Sequence, residues 1–523
     1  MSDHKLTRRE VLARMSAAAV TAALPGAGGT PADAKPASYR PLNVKKGGKP
    51  NVIWITIEGI PLSVIGCYGG KLMSTPNIDR LAKEGMRFDN SFTTNALCAP
   101  SRAVLLTGKY SHLNGMYTNP AETTGGVTIE SHFDENQETL PKILKRNGYQ
   151  TGTVGKWHLP ANPGKVGFDY YVYKDNAGGP YYEAEHYKHN MELGSSETKE
   201  TSIPGYSTDN EVDLTIKGIE KFDRPFFIML QFFNAHRPFE PKHEYEHLYD
   251  NIRIPEPGTF YDDYSHRAAG AKMARMRISE MPDFHPSSEL TERQRKQWNY
   301  QQFMAHFLGT FRAQEENVGR LLDYLDRTGL ADNTIVVYTG DHGFFLGDHG
   351  WFDKRFMYEQ AIRVPWIIRY PGHIKPGTVT KDWVVNIDNA PTVLDLLGIA
   401  VPDDMQGRSL APVFRGETAA DWQKSYYYHY YEFAPPHWVL PHYGIRTDRY
   451  KLISYYTVNE WELFDLEKDP DEMENLFKWG GFKVHPGYED VASDLVNQLK
   501  ALRDKYKDTT GAPVKLWPLK SYD

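Results

Sequence analysis

A cysteine at position 98 is followed by Pro100, Ser101 and Arg102, then by the run Ala-Val-Leu-Leu before Thr107, Gly108 and Lys109. Proline is pre-set for the first turn of a helix, where its missing N–H would be unpaired anyway. The apolar run carries that helix inward. Cys98 therefore falls at a helix N-terminus, where unpaired N–H groups and the helix dipole favour negative charge. Arg102, one turn on, adds a fixed positive charge. The arrangement suits an anion of the sulfate or phosphate type. A free thiol is more often a small buried hydrophobe, so it is the flanking residues, not Cys98 alone, that point to chemistry.

Four further groups of reactive residues each close a predicted strand. The apolar run 52–57 ends at Glu58-Gly59, and the strand at 148–154 delivers Gly155-Lys156-Trp157-His158. The strand at 225–232 leads to His236-Arg237-Pro238-Phe239, and the one at 334–339 ends in Gly340-Asp341-His342-Gly343. Runs this apolar suit central strands of a parallel sheet covered on both faces. Ligands in open α/β sheets gather beyond the carboxyl ends of such strands. The motifs are therefore expected on one rim. Lys156 and His158 are two residues apart, which puts both on one face of their strand end.

The pattern Cys98-x-Pro100-Ser101-Arg102, followed by Leu106-Thr107-Gly108-Lys109, resembles the signature of the type I sulfatases. Similar matches at Gly155 to His158, at His236-x-Pro238-Phe239, at Asp341-His342, at Lys354 and at Asn386 to Thr392 extend the resemblance over 50–508. It implies an α/β fold of the alkaline-phosphatase type: a large mixed, mostly parallel sheet flanked by helices, plus a smaller C-terminal antiparallel sheet with a helix. It implies that a maturation enzyme oxidises Cys98 to formylglycine. It implies one Ca2+ per chain, held by Glu58, residue 98, Asp341 and His342. Arg102, Lys156, His158, His236 and Lys354 are the implied catalytic and sulfate-contacting residues. In this family one hydroxyl of hydrated formylglycine attacks sulfur, a histidine (His236 or His158 here) protonates the leaving alcohol, and the re-forming aldehyde expels sulfate.

The chain departs from the family at one place. Sulfatases carry two adjacent acids where this chain has Glu58 followed by Gly59. One carboxylate of the metal site is missing, and water, a backbone carbonyl or an acid from elsewhere are all open as replacements. His342 stands where the family has Asn or His, and calcium prefers oxygen, so the metal is less sharply defined. The nearest rival reading is a phosphate or phosphonate monoester hydrolase of the same superfamily; Ser101 favours sulfatase. A second rival, motivated by Gly59, is a non-catalytic protein that binds sulfated glycans.

The 523 residues are expected to divide into a signal (1–34), a linker (35–48), a catalytic domain (49–425) and a C-terminal subdomain (426–523). Arg8-Arg9 followed by an Ala-rich run and an Ala32-Asp33-Ala34 site resembles a twin-arginine export signal, which implies the export machinery as a partner and a periplasmic or secreted product. The run is too short to span a bilayer, and no later stretch is long enough. A net charge of −7 lacks the basic footprint of a nucleic-acid binder. Conversion of Cys98 leaves Cys67 without a partner, so no disulfide framework is expected. Export and abundant aromatics favour a sulfated carbohydrate as substrate. Residues 164–203 read as insertion loops, 249–297 as a polar excursion over the active-site mouth, and 303–327 as a long amphipathic helix.

Overall fold

Strand β1 (Asn51–Ile57) is buried at every position, and so are β7 (Phe226–Gln231) and β8 (Thr334–Gly340). Side chains that are apolar on both faces need cover on both faces. Val52, Trp54, Phe227, Met229, Ile335 and Val337 point to one side and share a core with Ala99, Ala103, Leu105 and Leu106 of α2 (Cys98–Thr107) and with Val393 and Leu394 of α5 (Asn389–Leu396). Another helical group contains α1 (Pro76–Glu84), α3 (Ser207–Ile219) and α4 (Glu292–Thr328), with α4 packed on both others. These relations come from a computed structural model that describes residues 48–120, 130–174, 179–182, 185–478, 483–514 and the backbone of 520–521. The expected signal and all of the expected linker except Gly48 lie outside the described residues.

The main sheet is mixed and has ten strands. The other seven are β2 (Met86–Phe92), β3 (Gln150–Lys156), β4 (Tyr170–Lys174), β5 (Glu185–Asn190), β6 (Lys199–Ile203), β9 (Trp366–Arg369) and β10 (Thr378–Val385). The order is β10-β2-β9-β8-β1-β7-β3-β4-β5-β6. At its centre β8, β1, β7 and β3 run parallel, with Ile57 opposite Gly340, Thr56 opposite Gln231, and Gly155 opposite Gln231. This register brings the ends of all four strands level. The sequence-predicted rim is thus one edge of one sheet.

Three expectations are corrected. Residues 164–203 are not only loops: β4, β5 and β6 extend the sheet there, and β4 is buried throughout although it reads Tyr-Tyr-Val-Tyr-Lys. The long helix starts at Glu292 rather than 303, with a capping box from Thr291 and Gln294. Its first turns are polar all round, so they show no apolar period. The excursion is partly a wedge. Tyr264, Ala268, Ala271, Ala274 and Met276 are buried in the same core as the C-terminal sheet.

That smaller sheet is antiparallel, with strands β11 (Ser425–Tyr430), β12 (His442–Thr447), β13 (Tyr450–Tyr455) and β14 (Glu460–Asp465) in sequence order. Helix α6 (Glu489–Tyr506) lies across it. Its core is continuous with Phe92, Ala96, Leu97, Val104 and Tyr110 around the Cys98 helix. Both cysteines are free, and no helix among the described residues is long and apolar enough to cross a membrane.

His442 on β12 is fully buried among Phe356, Tyr428, Tyr430 and Tyr455. Its Nδ1 donates to Leu440 O at 2.8 Å, and its Nε2 has no partner. Burial pulls its pKa down to about 3. An unfolded histidine titrates near ~6.5, so between these values the unfolded chain takes the proton and the folded chain does not. The stabilisation is complete above the unfolded value and is lost as pH falls toward the folded one. Urea midpoints measured from neutral pH to pH ~4 are expected to fall less steeply for His442→Gln than for the wild-type chain. Parallel curves would remove His442 from the account.

Candidate active site

Glu58 follows β1, Asp341 and His342 follow β8, Lys156 ends β3, and Cys98 opens α2. The loop before α2 is pinned to this rim. Ser101 Oγ donates to Asp341 O at 2.5 Å, Asn386 Nδ2 donates to Ser101 Oγ at 3.1 Å, and Thr94 N donates to Asn386 Oδ1 at 3.1 Å. Asn119 Oδ1 accepts from Ala99 N at 3.0 Å and satisfies one of the open N–H groups of the first turn. Gly108 ends the helix in a left-handed turn at φ 63°.

Arg102 is 1% exposed and makes a contact for each of its five N–H groups. Nε reaches Asp341 Oδ2 at 3.1 Å, Nη1 reaches Lys156 O at 2.8 Å and Gln231 Oε1 at 3.0 Å, and Nη2 lies 3.0 Å from both Glu58 Oε2 and Asp341 Oδ2. The guanidinium therefore stands behind the two carboxylates and orients them. Lys156 Nζ also pairs with Glu58 Oε2, at 2.8 Å. Lys354 approaches from the opposite side, 3.7 Å from Glu58 Oε1. Burial raises the Glu58 carboxyl, but Lys156 first, then the His342 hydrogen bond and Lys354, hold it well below the usual range.

With their outer oxygens committed to cations, the two carboxylates turn their remaining oxygens inward. Glu58 Oε1 lies 3.1 Å from Cys98 Sγ and 3.5 Å from His342 Nε2, and Asp341 Oδ1 lies 3.5 Å from the same nitrogen. His342 Nδ1 donates to Gly343 O at 2.8 Å, which leaves Nε2 as a lone pair in the neutral ring. The ligand atoms of Glu58, Cys98, Asp341 and His342 all lie within 4.8 Å of one another and are buried. Electron pairs converging this closely require a cation or a proton between them. Burial disfavours the charged imidazole, but Asp341 outweighs it and raises His342 to about 10, so the neighbouring acid draws positive charge to this point. The donor set of two carboxylates and an imidazole fits a divalent cation.

The missing carboxylate is not replaced by another acid among the described residues. Gly59 sits at φ 51°, and a Cβ there would stand 2.8 Å from Phe344 Cδ2 and 3.1 Å from His342 Cε1. The Phe344 ring fills the space, so the second acid has been exchanged for an aromatic wall.

Burial and Glu58 both push the Cys98 thiol up, yet Lys156, Lys354 and His342 outweigh them and bring it down to about 6. Burial depresses His158 and His236 well below the usual histidine range, reinforced by Lys156. His236 opens onto a cavity of about 110 Å³ with Lys354, Phe344, Asn119 and Arg237. The same cavity is lined by Asp353, Arg355 and His437, which sequence reasoning missed. Asp353 Oδ2 holds Arg355 Nη1 at 2.7 Å and His437 Nε2 at 2.6 Å. Asp353 and Arg355 flank Lys354 at φ 78° and 93°, a strained conformation of the kind that clusters at functional sites. Only the strained pair lies beside a recognised motif residue; His437 sits in an irregular loop with no local signal.

A family model described as "Sulfatase" matches residues 50–399, two-thirds of the chain. The chain belongs to the sulfatase family. A second model, "N-sulphoglucosamine sulphohydrolase, C-terminal", matches residues 347–505 of this sulfatase. The N-acetylglucosamine-6-O-sulfatase of Bacteroides thetaiotaomicron is 39% identical to it over 512 residues, covering 88% of this chain and 87% of its own. A solved structure of a protein in complex with its substrate, D-glucosamine-2-N,6-O-disulfate, superposes with a TM-score of 0.79 at 38% identity, covering 88% of this chain and 99% of that one. The human N-acetylglucosamine-6-sulfatase is 29% identical over 367 residues, covering 66% of this sulfatase and 61% of its own chain.

Restoring the family's second acid by Gly59→Asp is expected to lower the melting temperature and to leave Ca2+ affinity no tighter, because the side chain meets Phe344 and a left-handed backbone. Titration calorimetry on both proteins tests this. Tenfold tighter binding in the variant would show that the wall yields.

Proposed function

We propose that this sulfatase hydrolyses the 6-O-sulfate ester of a glucosamine-type sugar, giving the free hydroxyl and inorganic sulfate. The observation that carries the reading is the convergence of Cys98 with Glu58, Asp341 and His342 beneath Lys156 and Lys354. The named substrates of its relatives supply the sugar. Residues 49–425 form the catalytic part in this reading and 426–523 a C-terminal subdomain. The Arg8-Arg9 leader supports export to the periplasm or beyond.

A divalent cation, calcium in the family reading, would be held by Glu58, Asp341, His342 and residue 98, and supplies charge that makes the sulfate ester electrophilic. Formylglycine at residue 98, produced by a maturation enzyme, supplies the oxygen nucleophile in its hydrated form. Lys354 is placed to meet a sulfate oxygen, since it faces the cavity. Lys156 reinforces the field from behind Glu58. Both are fixed before substrate arrives, which is the preorganisation that lowers a charged transition state. Arg102 acts through Glu58 and Asp341 as a positioning residue.

His236 is the better-placed general acid. Its Nδ1 lies 3.2 Å from Arg237 O, which leaves Nε2 for the substrate. After burial, Lys156 and Lys354 are what keep it neutral. A bound sulfate offsets those two charges and restores its proton affinity, so the proton is gained with the substrate and handed to the leaving alkoxide. His158 shares the same field from the end of β3. Asp353, Arg355 and His437 form a fixed frame of donors and acceptors for the sugar hydroxyls around the ester.

Cys98→Ala and Cys98→Ser are each expected to lower sulfate release from N-acetylglucosamine 6-O-sulfate by roughly a thousandfold or more, the size of loss seen when a nucleophile is removed. Parallel assays on an aryl phosphate separate the reading from its phosphatase rival. A serine variant that keeps most of its rate would overturn the nucleophile assignment.

A further inference from the structure

Beyond the active-site cavity, a cleft of about 650 Å³ opens along the first turns of α4. Its size falls within the range of ligand sites, roughly 300–1,000 Å³. One wall is a helical stripe at three- and four-residue spacing: Gln294, Gln297, Trp298, Gln301 and Gln302. This stretch also contains Glu292, Arg293, Arg295 and Lys296, yet none of those lines the cleft. The face turned to it is neutral. Trp298 is 38% exposed, and across from it Ile252 is 47% exposed. Gln301 is fixed by two bonds to the backbone of Ile254, at 2.9 and 2.8 Å, and Gln297 donates to Tyr261 OH at 2.7 Å. The wall is held rigid.

The cleft adjoins the active site. His306 lines it, and His306 Nδ1 lies 3.0 Å from the carbonyl oxygen of Phe239, whose side chain lines the catalytic cavity. Phe284, next to the Asp283 that pairs with Arg237, packs its ring 5.4 Å from His306. His306 and Phe239 thus join the lining of one space to the lining of the other.

The chemistry of the cleft differs from that of the catalytic cup. An aromatic ring partly open to solvent packs on the C–H face of a pyranose, and amides donate to and accept from its hydroxyls. Gln301 and the Gln294 oxygen are committed within the protein, so the Gln302 amide and the Gln297 oxygen carry that role. The charges present are Glu246, Asp250 and Glu256 against Arg253, and Arg253 is 3.3 Å from Glu256. No lysine lines the cleft, so a sulfate group meets net negative charge there, whereas the catalytic cup holds buried lysines. We propose that this cleft is a second carbohydrate subsite that holds an unsulfated sugar residue of a chain whose sulfated residue occupies the active site. The proposal rests on the sugar reading given above.

The test compares N-acetylglucosamine 6-O-sulfate with chitotetraose carrying one terminal 6-O-sulfate, and adds unsulfated chitotetraose as a binding probe followed by tryptophan fluorescence and NMR. Trp298→Ala is expected to raise KM for the tetramer about fivefold, the loss of one ring contact, with kcat unchanged. Both constants for the monosaccharide stay the same, and unsulfated tetramer binds about fivefold more weakly. Gln302→Ala, which removes one amide and no ring, is expected to move the same constants in the same direction and guards against a Trp298 variant that fails to fold. Equal KM values for monosaccharide and tetramer in the wild-type protein, or variants that affect both alike, would overturn the subsite. If neither sulfated compound is hydrolysed, the reaction assignment fails, and the unsulfated tetramer titration still decides the cleft.

Discussion

Two carboxylates, Glu58 and Asp341, lie buried within reach of one histidine nitrogen, and Arg102 stands behind both of them while Lys156 also pairs with Glu58. An unpaired buried carboxylate carries a desolvation penalty of several kcal/mol. Arg102 answers both acids at once and uses its remaining donors to fix the carbonyl of Lys156 and the side chain of Gln231. One guanidinium thereby ties together β1, β3, β7, β8 and α2. The catalytic rim is a consequence of that knot. Removing it would take the cation from Asp341 and leave Glu58 to Lys156 and Lys354 alone, and the two acids would lose the group that fixes them relative to each other.

The second constraint is the exchange of a carboxylate for an aromatic ring. With Gly59 in place of an acid, the centre carries one negative charge fewer than the family pattern. Around the site Arg102, Lys156 and Lys354 face Glu58 and Asp341, and Lys354 also pairs with Asp353 at 3.2 Å. Relative to the family pattern the cup is more positive by the charge missing at residue 59. An environment biased this way favours an anionic ester and disfavours loss of the anion during turnover. Phe344 also occupies the side of the site next to Gly59 and adds an apolar wall beside Lys354, whose Nζ lies 5.7 Å from the ring.

Much of this was legible in the sequence. The strands ending at Glu58, Gln231 and Gly340 announced themselves as unbroken apolar runs, and their parallel register follows from cover on both faces. Glu58, Asp341 and His342 lie at those ends because each directly follows the last residues of its strand. Arg102 was legible as a charge but not as a brace, since its partners come from three other elements. Phe344 gave no sign, because its role depends on where a glycine 285 positions earlier leaves room. His437 was invisible for the same reason. Strands β4 to β6 were hidden by tyrosines and charges that look like loop composition, and the first turns of α4 by polarity on every face.

The burial of residue 98 has a further meaning for the life of the chain. Cys98 is 1% exposed and lies on a helix with no exposed residue. Once α2 has docked between the central strands and the C-terminal sheet, an enzyme has no access to that segment. In the proposed reading, in which Cys98 is oxidised before it acts, oxidation would therefore have to precede docking. The fraction of competent molecules in a preparation would then be set by the order of those two events, and two batches of equal purity and equal melting behaviour could differ in turnover per milligram.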